Sequence, residues 1–135
     1  MNAEAEFSRI TVIGTGLMGG SFALAVKNFY PERKVVGVDY REEITEAIRR
    51  KAIDEGYEPG DLASAVKGSD LVVLATPIDA IIDLIGELSE VVEDGAVVMD
   101  LGSTKSKVCE YGWEKLADSP ATFVGGHPMT GAEVK

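Results

Sequence analysis

The chain has 135 residues, 45% of them apolar, which is enough for one domain with a true core. Lys plus Arg number 13 against 23 Asp plus Glu, so the formal net charge of −10 argues against a nucleic-acid backbone or an anionic membrane surface as partner. Cys109 is the only cysteine and allows no intrachain disulfide. The acidic start "MNAEAEFSR" carries no secretion-signal pattern, and no apolar run nears the ~20 residues of a membrane span, so a cytoplasmic location is expected.

The first predicted strand is "RITVIG" (9–14), which runs into "VIGTGLMGG" (12–20). There Gly14, Gly16 and Gly19 stand in G-x-G-x-x-G spacing. A helix over 18–29 follows, with Met18, Phe22, Ala25 and Phe29 on one face. "KVVGVD" (34–39) is a second strand, ending in Asp39, 20 residues after Gly19. A helix over 42–51, a weak edge strand at "GYE" (56–58) and a short helix over 61–67 come next. "DLVVLA" (70–75) is another strand. The helix after it, 77–88, is expected to take Thr76 as N-cap and Pro77 as its first residue, burying Ile78, Ile81, Ile82, Ile85 and Leu88. "AVVMDL" (96–101) and "ATFVGG" (121–126) are the last strands, separated by a helix over 106–117 that Gly112 weakens. Short apolar strands alternating with helices predict an α/β fold: a doubly wound, Rossmann-like parallel sheet of about six strands with helices on both faces.

Such a sheet binds ligands at the carboxyl ends of its strands. Gly14 allows the tight turn, Gly16 lets a pyrophosphate approach the backbone, and Gly19 lets helix and strand pack closely. The free N–H groups and dipole of the first helix favour the phosphates. Asp39 lies where a ribose-binding acid is expected, able to accept from both adenosine-ribose hydroxyls. A 2′-phosphate there would be repelled by roughly 4 kcal/mol at 4 Å with an effective dielectric of 20. NAD is therefore expected over NADP. Arg41 qualifies this, since it could neutralise a 2′-phosphate, stack on the adenine or face water. The plainer reading of the same residues is a glycine turn beside a surface aspartate.

Two loops carry candidate chemistry. "DLGSTKSK" (100–107) places Ser103, Thr104 and Lys105 after the fifth strand, where Ser103 or Ser106 could also simply cap the next helix. "GGHPMTG" (125–131) holds the only histidine, His127, with Pro128 restricting its backbone to extended angles. Its imidazole, with a reference pKa near ~6.5, could accept a proton at neutral pH. No metal-ligand pattern is present.

The set "VIGTGLMGGSFALAVK", "VVGVD", "LVVLATP", "VVMDLGSTKSKV" and "FVGGHPMTGAE" closely resembles the prephenate and arogenate dehydrogenases of tyrosine biosynthesis. The last two motifs are far more specific than the glycine loop. The resemblance implies that residues 1–135 correspond to the family's N-terminal NAD(P)-binding domain, without the C-terminal helical domain that dimerises and completes the substrate site. It implies oxidative decarboxylation of prephenate to 4-hydroxyphenylpyruvate, or of arogenate to tyrosine. His127 then matches the catalytic histidine and Ser103 the serine that orients it. Gly14, Gly16, Leu17, Met18 and Gly19 match the pyrophosphate loop, and Thr76 and Pro77 a cofactor-contacting strand end. The expected partners are a small-molecule substrate and a second copy of the full-length enzyme. The chain alone is expected to be inactive. Rival readings are a β-hydroxyacid dehydrogenase or pyrroline-carboxylate reductase-like enzyme, which share the glycine loop, and an NAD-binding module without chemistry.

Overall fold

The computed structural model describes residues 7–101, 114 and 121–125. Six strands form one parallel sheet: β1 (Arg9–Ile13), β2 (Lys34–Val38), β3 (Glu55–Tyr57), β4 (Leu71–Leu74), β5 (Val97–Asp100) and β6 (Thr122–Gly125). Their order is β3-β2-β1-β4-β5-β6. Between β1 and β5 lie four helices, α1 (Leu17–Phe29), α2 (Arg41–Arg49), α3 (Leu62–Val66) and α4 (Ile78–Leu88), with a short 3-10 turn at Pro59–Asp61. The expected Rossmann-like architecture is therefore present. The predicted helix over 106–117 lies outside the described residues, apart from Glu114.

The core has two layers because strand side chains alternate in direction. Val36, Val38, Val72, Leu74 and Val98 meet α3 and α4 through Leu62, Val66, Ile85 and Leu88. On the opposite face Ile10, Val12, Val35, Leu71 and Val73 meet Ala23 of α1 and Ala47 of α2. Burial of both faces explains why the central strands read as unbroken apolar runs. Thr11 is the exception, and its hydroxyl is satisfied by the Ala65 carbonyl and the Ser69 hydroxyl. Among the described residues, no helix is long and apolar enough to cross a membrane.

Three local expectations are corrected. Of the predicted Met18–Phe29 stripe, Phe22 packs partly buried against the core, but the fully buried positions of α1 are Gly19 and Ala23, while Phe29 is 77% exposed. The helix lies too close to the sheet for large side chains, so small ones occupy the contact. Secondly, Pro77 is the N-cap of α4, with an extended ψ of 154°, and Thr76 makes no side-chain cap. The Thr76 methyl instead packs beside Gly14. Thirdly, the edge strand is Glu55–Tyr57 and pairs in parallel with β2, Val36 opposite Glu55. Of the isoleucine face predicted for α4, Ile85 and Leu88 are fully buried. The side chains of Ile78, Ile81 and Ile82 lie outside the description.

Two aspartates tie the amino-terminal edge of the sheet together. Asp70 accepts from the Ser8 and Arg9 N–H groups at 2.7 and 3.0 Å and from the Ser8 hydroxyl. Asp54 accepts from the Val35 N–H and from Lys27 Nζ, which also donates to the Pro31 and Arg33 carbonyls. Burial raises the Asp70 carboxyl, but the Arg9 and Ser8 donors outweigh it and hold it below the ordinary aspartate value. Burial likewise opposes, and the Val35 N–H and Lys27 overcome, the same shift at Asp54. Groups depressed in the folded state stabilise it above their unfolded pKa of about 3.9, and the gain disappears as pH falls through the folded value. Urea unfolding should therefore show stability dropping from roughly pH 5 towards pH 2. Asp70→Asn should cost about 1 kcal/mol at pH 7 and make that drop shallower. An unchanged acid slope would remove Asp70 from the account.

Candidate functional site

The strand order reverses between β1 and β4, where consecutive crossovers leave for opposite faces. This is where an open α/β sheet forms its ligand crevice. The turn after β1 holds Gly14 and Gly16, with Gly19 in the first turn of α1, and the loop after β4 holds Thr76 and Pro77, so the two face each other.

Each loop glycine has a separate reason in the geometry. Gly14 adopts φ +96°, and a Cβ there would meet the Thr76 methyl and the Ala75 carbonyl at 2.8–2.9 Å. At Gly19 a Cβ would overlap the Gly14 carbonyl oxygen. Gly16 has nothing within 4 Å of such a Cβ, so its outer side is open to a ligand. Gly16 is also the N-cap of α1, with no side-chain cap and no acidic residue in the first turn. Leu17 is 87% exposed, and Met18 beside it is partly exposed. The first N–H groups of α1 thus remain available to an anion.

Asp39 follows β2 and is held by the loop it serves. Its Oδ2 accepts from the Thr15 N–H at 2.8 Å and the Thr15 hydroxyl at 3.2 Å, and its Oδ1 from the Tyr40 N–H at 2.7 Å. Three of about four acceptor positions on the carboxylate are taken. One ligand hydroxyl can be received directly. A second would require the longer Thr15 contact to give way.

A cleft of about 280 Å³ opens beside this carboxylate. Ile13, Val38, Leu62 and Leu84 give it apolar walls, and Asp39, Thr76, Asp83 and Glu87 supply polar groups. Thr76 Oγ1 is buried and has no hydrogen-bond partner among the described residues. An open glycine turn, an uncompensated helix N-terminus, a fixed carboxylate and an orphaned hydroxyl around an apolar slot fit a nucleotide. Pro77 caps α4 next to this slot.

Several lining residues escaped the sequence reading, among them Tyr40, Pro59, Ala80 and Leu84. The spacing of Ala80 and Leu84 is four residues, one turn of α4, and would have revealed a second apolar stripe beside the isoleucines. Arg41 is not a wall of the cleft; its Nε pairs with Glu58 Oε2 at 3.1 Å. Ser103 and His127 lie outside the described residues. The strands that lead into them, β5 and β6, end at the fully buried Asp100 and at Gly125, on the same edge of the sheet as Gly14.

Residues 22–135 match the family described as prephenate dehydrogenase, nucleotide-binding domain. The chain belongs to this family. It is 34% identical to a prephenate dehydrogenase of Lactococcus lactis over 125 residues, covering 92% of this chain and 34% of that one. With a prephenate dehydrogenase of Bacillus subtilis it shares 36% over 125 residues, covering 91% and 33%. The crystal structure of prephenate dehydrogenase from A. aeolicus, in complex with hydroxyphenyl propionate and NAD+, superposes with a TM-score of 0.80 at 31% identity. That superposition covers 92% of this chain and 42% of the A. aeolicus chain. The chain thus spans about a third of the length of the curated relatives.

The nucleotide-binding domain makes two glycines separable by experiment. Gly19→Ala must push α1 off β1 and should cost about 1–3 kcal/mol in urea unfolding. Gly16→Ala projects into open space and should stay within about 0.5 kcal/mol of the parent. Equal losses at both positions would contradict the packing described.

Proposed function

We propose that this chain is the cofactor-binding unit of a cytoplasmic prephenate or arogenate dehydrogenase of tyrosine biosynthesis, with NAD preferred over NADP. The observation that carries the reading is the pairing, at the switch point, of the open Gly16 turn with the Asp39-sided cleft, in a chain of this family. The NAD+ bound to the A. aeolicus relative supports it. The remainder of the enzyme, by the family's architecture, is a helical domain that dimerises and closes the substrate pocket.

NAD, when bound, supplies the hydride acceptor for C4 of the substrate ring. The backbone N–H groups of Gly16, Leu17 and Met18 hold the pyrophosphate, with Gly14 and Gly19 shaping the turn. Asp39 takes a hydroxyl of the adenosine ribose, and Thr76, beside Pro77, offers its unpartnered hydroxyl to the cofactor. His127 accepts the proton of the C4 hydroxyl as hydride leaves C4, and returns it to the phenolate oxygen once the ring carboxylate has left as CO₂; Ser103 orients that hydroxyl and the imidazole. The balance is prephenate plus NAD⁺ to 4-hydroxyphenylpyruvate, CO₂ and NADH.

The test takes binding and turnover separately. Calorimetric titration of the 135-residue chain should show NAD binding, while prephenate and arogenate yield no NADH with it alone. Such positioning of substrate can be worth about 7–11 kcal/mol of a barrier, and half of the pocket would be missing. Turnover by the chain alone would overturn this division, and failure to bind NAD would overturn the cofactor assignment.

In the intact enzyme His127→Asn should lower kcat about 10²–10⁴-fold with little change in NAD affinity. Wild-type activity should fall as pH drops below about 6.5 and the imidazole protonates. Ser103→Ala should be milder, since one neutral hydrogen bond is worth about 0.5–1.5 kcal/mol. Near-normal turnover in His127→Asn would exclude His127 as the base.

A further inference from the structure

Arg41 stands two residues past Asp39, at the first position of α2, where an arginine could meet a 2′-phosphate. It does not line the cleft beside Asp39. With Glu58 and Asp61 it lines a separate groove of about 220 Å³. Arg41 Nε donates to Glu58 Oε2 at 3.1 Å.

Glu58 is well placed to hold it there. It follows β3 directly, and β3 is registered on β2, Val38 opposite Tyr57. The Asp39 N–H donates to the Tyr57 carbonyl at 3.1 Å, so the residue before Glu58 is hydrogen-bonded to the ribose-binding acid itself. The Arg41 side chain is 82% exposed and that of Glu58 49%, so solvent screens the pair and it adds little to stability. Its effect is on where the Arg41 guanidinium points.

We propose that Glu58 is a positioning residue for cofactor selectivity: by holding the Arg41 guanidinium in the outer groove, it withholds the cation that a 2′-phosphate would need. The inference rests on the dinucleotide reading above. Asp39 rejects the 2′-phosphate by like charge. Glu58 adds a second barrier by drawing the Arg41 guanidinium, through its Nε, away from where it could offset that charge. Discrimination at the ribose thus uses two carboxylates, one in the cleft and one outside it.

The test is titration of the 135-residue chain with NAD and with NADP, in four forms: parent, Glu58→Gln, Arg41→Gln and the double variant. Glu58→Gln should tighten NADP about two- to fivefold and leave NAD unchanged, because the exposed pair that it breaks is a weak one. The gain should vanish in the Arg41→Gln background. A purely structural role for Glu58 would move both dinucleotides together. An unchanged NADP-to-NAD ratio in Glu58→Gln, or an equal shift with and without Arg41, would overturn the proposal while leaving the dinucleotide reading intact. No NAD binding by the parent chain would overturn both.

Discussion

The site depends on how closely α1 approaches β1. Gly19 sits so near the Gly14 carbonyl that no Cβ fits between them. That contact compresses the strand–helix turn and aims the amino end of α1 at the crevice. It sets the next contact along the helix as well, where Ala23 rather than a larger residue meets the sheet. Gly14 extends the constraint to β4, because its turn leaves space only for the Thr76 methyl and the Ala75 backbone. Two crossovers are locked together by atoms that a single methyl group would disturb. Rigidity here is useful because preorganised N–H groups cost no reorganisation when an anion arrives.

A chain of net charge −10 that presents an anion site needs an electrostatic account. The two long helices after β1 and β2 supply one. Helix α2 carries Glu42 and Glu43 in its first turn, which compensate its own dipole. Helix α1 carries no acid in its first turn and no capping side chain, so its N-terminal potential is left for a ligand. Asp39 could have cancelled it, but its carboxylate is engaged by Thr15 and Tyr40. Local arrangement thus outweighs total charge, as expected for short-range contacts to a small ligand screened from distant surface groups.

Much of this was legible in the sequence. The strands were, because burial on both faces leaves an unbroken apolar signature that few other elements imitate. The glycine turn was, because the positive φ of Gly14 and the closeness of Gly19 to the Gly14 carbonyl each demand glycine. What failed was orientation. The stripe of Met18, Phe22, Ala25 and Phe29 has helical periodicity, but periodicity cannot reveal that the neighbouring line of Gly19 and Ala23 is the one pressed on the sheet. Likewise Thr76-Pro77 is a common opening for a helix, yet the threonine turns toward Gly14 and leaves the cap to proline. Both errors arise where tertiary closeness overrides a local preference. The cleft walls were hidden for another reason: Tyr40, Pro59 and Leu84 come from three connections, and only the fold brings them together.

The strand order also explains why binding and chemistry divide along the chain. Parallel strands place every strand-to-helix loop on one edge, so a single sheet offers a row of loops to an extended ligand. On one side of the switch point lie β1, β2 and β3, which supply the glycine turn, Asp39 and the Glu58–Arg41 pair. On the other lie β4, β5 and β6, which supply Thr76 and lead into the segments with Ser103 and His127. On the proposed function, a dinucleotide laid across the switch point would set its adenosine against the first group and its nicotinamide toward the second. The residues that line the cleft beside Asp39 all lie at or before Glu87 of α4, on the register β2–β1–β4. Affinity for the cofactor can therefore be built into the first two-thirds of the chain, while the reacting end draws on the later strands and on whatever packs against them.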